Sequence, residues 1–378
     1  MRKMDKSNQF DFIIFLRGIA AIIVLLSHLL INFWGSKINI GSIWPFLQRP
    51  VTPQGLFADQ LDHYLSRLCL GAGSVGVAFF FLITGFLIGK SIRKYKSPMR
   101  LLISKLLRIY PTYIVGFSIT FFIIYLYCHF DNIPFPYTFI DWITQVSLIR
   151  IFLWKASIDG ITWTLVADVQ FYLLIVLLMT KKKTSAKFYC ISGILITAVS
   201  LLYGLLMPRL LKSGHISLYQ SGSHWILAAF CLSYMLIGCI LYEYSQKVID
   251  RFQFIAGITI LHFCFLVNSV VYSKEAKIYI GSYTFSFIIF LLCYFLSLSG
   301  HCKHIFRDPV VGFISKISYP LYIVHGLNGY ILETVLFDRG IRNSVNFILT
   351  VSAAIILGTI LYYTCDKQIN FKWKSHEV

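Results

Sequence analysis

Acidic side chains are scarce in this sequence: 16 Asp and Glu among 378 residues, against 34 Lys and Arg, with all charged types together at only 13%. Soluble domains carry about a quarter charged residues, so a water-covered surface is excluded for most of the molecule. There is no tandem repeat and no low-complexity tract, which excludes solenoids and disordered arms. The nine cysteines are an odd number, and most, such as Cys190, Cys231, Cys239, Cys264 and Cys293, fall inside apolar runs as small packing residues. They imply neither a disulfide framework nor a metal site. Cys69 and Cys128, both expected on the outer side, are the one pair placed to bond.

What fills the chain instead is apolar: 57% hydrophobic and 17% aromatic, with a mean hydropathy of +0.72. Runs of about 18 or more apolar residues fall at roughly 12–33, 73–90, 109–130, 161–180, 188–207, 223–243, 252–272, 278–299, 310–336 and 345–365. The expected fold is all-α, a polytopic membrane bundle of about ten transmembrane helices in a single domain over 1–378.

The formal charge of +18 invites a nucleic-acid reading, but the basic residues alternate between connections. The N-terminus (Arg2, Lys3, Lys6), residues 90–108, 181–187 (including Lys182 and Lys183), 244–251, 300–309 and the C-terminal tail hold about 21, and the opposite connections about 11. Both termini are therefore expected in the cytoplasm, and the basic excess is topogenic. No nucleic-acid partner is expected. The first apolar run is too long for a signal peptide and lacks a small-x-small cleavage site, so it reads as an uncleaved first helix. Room for an extracytoplasmic surface exists in 35–72, with Trp44, Pro45, Pro50, Pro53, Asp59, Asp62 and His63, and in 131–160.

Polar residues inside the spans carry the functional signal. In "FLRGIAAIIVLLSH", Arg17 and His28 are eleven residues apart, close to three helical turns, so they share one face about 16 Å apart along the axis. An arginine at a helix centre costs roughly 2.5 to 3.5 kcal/mol. Taken singly, Arg17 snorkelling to headgroups and His28 as a boundary histidine would suffice. The shared face offers more: a fixed cation towards the inside and a titratable base towards the outside.

Other spans add to this. "WTLVADVQFYLL" repeats Thr164, Asp168 and Tyr172 every four residues as a polar stripe behind the interfacial Trp163. Asp168 is expected at the depth of His28, whose imidazole it would orient; packing glue between helices is the plainer reading. In "KLLRIYPTY", Lys105 and Arg108 sit at the cytoplasmic start of the third span, where an anionic phosphate is well placed. "ISYPLYIVHGL" sets Tyr319, Tyr322 and His325 three residues apart, with Pro320 expected to kink the helix. In "GVAFFFLITGFLIGK", Gly85 permits close approach of a helix or a thin ligand chain. His304 to Asp308 spells H-x-x-x-D, which in so short a cytoplasmic loop is attributed to chance. His63, His129, His215, His224, His262, His301 and His376 show no companion pattern.

These stretches resemble the acyltransferase-3 family of integral membrane proteins, which O-acylate cell-surface carbohydrates. The Arg, ten residues, His spacing of R17-GIAAIIVLLS-H28 is its hallmark, and "GVAFFFLITGFLI", "KLLRIYPTY", "WTLVADVQFY" and "ISYPLYIVH" follow in the family's order over about the first 330 residues. Departures are Thr84 for a usual Ser, Lys105 for a usual Arg and Asp168 for a usual Glu. With no esterase-like domain after the last span, the resemblance implies the stand-alone form.

The resemblance implies an O-acetyltransferase of the bacterial cytoplasmic (inner) membrane. Acetyl-CoA, or another acyl-CoA, is the implied donor substrate and a glycan such as lipopolysaccharide O-antigen or exopolysaccharide the implied acceptor, with no tightly bound cofactor. Arg17, Lys105 and Arg108 would hold the donor's phosphates and Gly85 would flank its pantetheine arm. His28, oriented by Asp168, would act as general base, with Trp163 and Tyr172 lining the sugar and Tyr322 and His325 steadying the carbonyl or lining the sugar. An acyl-imidazole intermediate stays open beside direct transfer. Intramembrane Arg, His and Asp also build the proton relays of transporters and flippases, and that reading stays open too, although no second Arg-to-His span suggests an internal repeat. A purely structural membrane subunit is a further alternative.

Overall fold

The computed structural model describes residues 10–35, 40–47, 56–147, 157–181, 184–299 and 302–368. Arg2, Lys3, Lys6, Pro50, Pro53, Lys182, Lys183, His301 and His376 lie outside the described residues. Every regular element among the described residues is helical. The first span is α1 (Asp11–Leu26), which continues as a π-helical turn, Ser27–Asn32. The short α2 (Ile40–Ile43) and α3 (Leu56–Arg67) lead to α4 (Ala72–Lys94) and α5 (Pro98–Phe130). After α6 (Phe139–Val146) come α7 (Thr162–Thr180), α8 (Ala186–Lys212), α9 (Ile216–Ser245), α10 (Arg251–Tyr272) and α11 (Ala276–Ser299). The chain ends with α12 (Lys303–Phe306), α13 (Pro309–Val324), α14 (Gly326–Asp338) and α15 (Asn343–Leu361), which closes in a second π-helical turn, Tyr362–Asp366.

Among the described residues nine helices are long and apolar enough to cross a membrane, and a tenth span arises if Lys303–Val324 and Gly326–Asp338 are taken as one bent crossing. The expected bundle is thus present, with two local differences. The third span starts at Pro98 rather than near 109, so Lys105 and Arg108 lie in its second and third turns. The stretch expected as one span over 310–336 is bent by 73°, and the break falls at His325, with Pro320 still inside α13. At the break His325 Nδ1–H donates to the Tyr322 carbonyl at 2.8 Å. That carbonyl is the one a continued helix would offer to the Gly326 N–H, so a side chain takes over where the ladder stops.

Helix starts follow ordinary capping chemistry. Asp308 accepts from the Val311 N–H at 2.8 Å with Pro309 at the first helical position of α13. The aspartate of the H-x-x-x-D pattern is therefore a helix cap. Asp250 and Gln253 form a reciprocal capping box on α10, as Thr138 and Asp141 do on α6. Between spans, α3 turns Phe57 and Tyr64 outward with Ala58 buried, and α6 exposes Phe139, Ile140 and Ile143. An outward apolar stripe on a short connecting helix suits the membrane interface.

Contacts group the chain into two compact units: Met1–Val77 with Leu107–Trp163 and Ile288–Val378, and Ala78–Leu106 with Thr164–Phe287. In the first unit α1 and α13 run side by side in the same direction. Asp11 pairs with Arg307, Gly18 lies on Val311, and Leu29 lies on Gly329. A Cβ at Gly18 would sit 2.4 Å from the Val311 carbonyl oxygen, so the absence of a side chain there is what lets the two helices touch.

In the second unit α8, α9 and α10 pack on one another around α9, whose apolar window is 89% buried against 22% for α8 and 33% for α10. Within that group Asn268 Nδ2 donates to Thr197 Oγ1 at 3.0 Å, and Tyr234 Oη of α9 reaches α11, donating to the Tyr283 carbonyl at 2.7 Å. Hydrogen bonds thus tie polar groups of neighbouring helices together deep in the spans.

Candidate functional site

Two polar clusters lie along the α1–α13 pair of the first unit. Near the N-terminal end of α1, Arg17 Nε donates to Ser318 Oγ at 2.8 Å. Ser318 gives its own proton to the Ser315 carbonyl at 2.8 Å, so its oxygen is left to accept from the guanidinium. Asp366, the last residue of the second π turn, is buried and accepts from Thr112 Oγ1 at 3.4 Å. Its carboxylate lies in the field of Arg108 and Arg17. Among the described residues two arginines flank this carboxylate, an electrostatic setting that favours an anion.

The second cluster surrounds His28, in the π-helical turn. Its imidazole meets the ring of His325 edge to face with centroids 4.9 Å apart, and its Nδ1 is 3.0 Å from Tyr330 Oη. Because His325 Nδ1–H is committed to the Tyr322 carbonyl, its Nε2 is the lone-pair nitrogen in the neutral ring. That atom is buried without a hydrogen-bond partner among the described residues. The Tyr322 ring stands 5.5 Å from His325.

The neighbouring loop is fixed to this cluster by ordinary bonds. Trp44 Nε1 donates to the Ile158 carbonyl at 2.7 Å, and the Trp44 ring lies 5.7 Å from that of Tyr330. Gly160, at φ +71, makes the turn with Trp44 3.0 Å from where a Cβ would be. Asp159 is buried; its Oδ1 accepts from Ser157 Oγ and from the Ile161 and Thr162 N–H groups, and Thr162 Oγ1 donates to its Oδ2. The same carboxylate is in electrostatic reach of His325. Tyr113 Oη lies 3.3 Å from Thr162 Oγ1 and donates to the Gln145 carbonyl at 3.2 Å. Trp163, the next residue, is half-buried.

Arg17, Arg108, His28, Trp163, Tyr322 and His325 thus belong to the first unit, and Gly85, Lys105, Asp168 and Tyr172 to the second. The shared face read from the Arg17–His28 spacing is the face towards α13, where Ser318 and His325 are themselves two turns apart. In the second unit Lys105 Nζ donates to Ser91 Oγ at 2.8 Å and lies 5.9 Å from the Tyr172 ring centre. Tyr172, expected beside the acceptor, is therefore a neighbour of the cation expected at the donor's phosphates. Asp168 is half-buried and in electrostatic reach of Cys231. The group at His28 Nδ1 is the Tyr330 hydroxyl.

Gly85 needs a correction. A Cβ there would fall 1.9 Å from the Met235 carbonyl oxygen and 3.0 Å from Gly238 Cα. The space expected to flank a donor chain is filled by the backbone of α9, and Gly85 is a helix-crossing residue. Cys69 and Cys128 both carry free thiols.

Sequence reasoning did not single out Asp159, Ser318, Tyr330 or Asp366. Asp159–Gly160 is a turn signal just ahead of an apolar run, and Asp366 is a carboxylate at the edge of the last span; both signals were readable. Tyr330 carried none, because its position depends on the bend at His325.

The sequence model of the acyltransferase domain family matches residues 10–364, a stretch that contains all of the second unit, most of the first, and every residue of the two clusters but Asp366. Comparison with curated proteins and with solved structures found no match. A match over nearly the whole chain, on a bundle of apolar helices with the Arg17–His28 pair on its first span, places this multi-pass membrane protein in the acyltransferase-3 family.

Proposed function

We propose that the protein transfers an acyl group, most simply acetyl, from acyl-CoA on the cytoplasmic side to a hydroxyl of a cell-surface or lipid-linked carbohydrate such as O-antigen or exopolysaccharide, in a bacterial inner membrane. The observation that carries this reading is the arrangement of α1 against α13. One end of the shared face has a cation-rich cluster suited to phosphates, and the other an imidazole cluster suited to proton transfer, about 16 Å away.

In this reading Arg17 and Arg108 bind the donor's phosphates. The acceptor hydroxyl is held near His28, with Trp163, Tyr322 and His325 about it. His28 takes the hydroxyl proton as the oxygen attacks the thioester carbonyl; the carbon–oxygen bond forms, the carbon–sulfur bond breaks, and the proton passes to the departing CoA thiolate. Thiol and ester are the products, and no redox partner is required.

The test uses membranes containing either the wild-type chain or His28→Ala, supplied with acetyl-labelled acetyl-CoA and the host's surface polysaccharide. Alkali-labile label in the polysaccharide with wild type alone is the expected result. Equal label with both proteins would remove His28 from the chemistry. No label with either, although both bind acetyl-CoA, would overturn the proposed acceptor.

A further inference from the structure

A general base acts through one nitrogen, so the group that holds its other nitrogen decides whether it can act at all. For His28 that group is Tyr330, 3.0 Å from Nδ1. The two rings are close to parallel, at 15° with centroids 6.1 Å apart. Tyr330 is itself fixed: it is 3% exposed, stacks on Phe33 at 5.9 Å, and meets Trp44 at 5.7 Å, which is pinned to the Ile158 carbonyl. On the backbone side Gly329 admits Leu29 so closely that a Cβ would lie 2.3 Å from Leu29 Cδ2. The turn carrying His28 and the helix carrying Tyr330 are thus locked together one residue from each partner.

We propose that Tyr330 is the positioning residue of His28, and that it sets the tautomer in which Nε2 is the base. This deepens the transfer reading and rests on it. With Nδ1–H donating to Tyr330 Oη, Nε2 carries the lone pair and can take the acceptor's proton. Once Nε2 is protonated, Nδ1–H keeps the same hydrogen bond, so nothing about Tyr330 has to move during the step. The opposite arrangement, with the tyrosine O–H donating to Nδ1, would put the hydrogen on Nε2 and leave no base there.

Tyr330→Phe deletes the hydroxyl and keeps the ring between Phe33 and Trp44. The expected result is a kcat lowered about ten- to a hundredfold with KM for the donor within about twofold. Wild-type kcat in Tyr330→Phe, or a loss confined to KM, would overturn the assignment. Should Tyr330→Phe fail to accumulate, 3-fluorotyrosine placed at position 330 keeps the hydroxyl as a weaker acceptor and is expected to lower kcat; an unchanged kcat would overturn the assignment equally. Full activity of His28→Ala would instead defeat the transfer reading, so the two failures are distinguishable.

Discussion

Arg17 and Ser318 join the first span to α13 by one charge-assisted hydrogen bond of 2.8 Å. The serine is prepared for it, because its own proton goes to the Ser315 carbonyl and its oxygen faces the guanidinium as an acceptor. An arginine so held is a fixed cation rather than a snorkelling one. If it serves the donor's phosphates, Ser318→Ala should raise the KM for acyl-CoA about tenfold, the equivalent of one hydrogen bond to a charged group. Arg17→Ala should do more than that, and kcat at saturating donor should change little in the serine variant. Donor titration of the two variants checks both statements.

Gly85 separates a packing role from a ligand role. A methyl group there meets the backbone of α9 at Met235 and Gly238, and backbone cannot rotate out of the way. Gly85→Ala should therefore lower stability by about 1 to 3 kcal/mol, read as a drop in melting temperature in detergent. Gly312 on α13 has nothing within 4 Å of a Cβ, so Gly312→Ala should be neutral or gain up to about 1 kcal/mol from helix propensity. A stable Gly85→Ala protein that had lost only donor binding would return the residue to the donor path.

His325 combines two duties that a pair of substitutions can separate. Its Nδ1–H closes the end of α13 on the Tyr322 carbonyl, and its Nε2 is buried beside His28 without a partner among the described residues. Asparagine keeps an N–H near the Nδ1 position and lacks Nε2. His325→Asn should therefore melt close to wild type and lose transfer by about ten- to a hundredfold. His325→Ala should also lose about 1 to 3 kcal/mol of stability, because the carbonyl at the break is left unpaired. Equal melting temperatures for the two variants would show that the bend at 325 does not depend on the side chain.

Most of the bundle was legible in the sequence because span detection needs only length and hydropathy, and both are strong here. Arg17 and His28 were legible as a pair because their spacing is close to three turns and a helix makes that a shared face. What could not be read was which helix that face meets: Ser318 and His325 answer it, and they are 301 and 297 residues further along the chain, beyond the reach of any local pattern. The kink was expected at Pro320, where a missing N–H is visible in the sequence. It falls at His325 because a side chain can cap a carbonyl there, and no propensity records that. The π-helical turn that carries His28 and the placement of Tyr330 follow from packing between distant elements.

Asp168 supplies the last test. It lies in α7 of the second unit, half-buried and in the polar stripe of Thr164 and Tyr172. An ionisable residue within a span is costly and is kept where it meets water, a partner or a substrate. If its charge serves transfer, Asp168→Asn should fold and melt within a few degrees of wild type while losing transfer more than tenfold, and Asp168→Glu should restore part of it, since the chain resembles a family in which glutamate is usual there. If it acts as packing glue through hydrogen bonds alone, asparagine preserves shape and bonding capacity and transfer should survive. Labelled-acetyl transfer together with thermal melting of the two variants decides between a charge that works and a side chain that only packs, because only the first loses activity without losing stability.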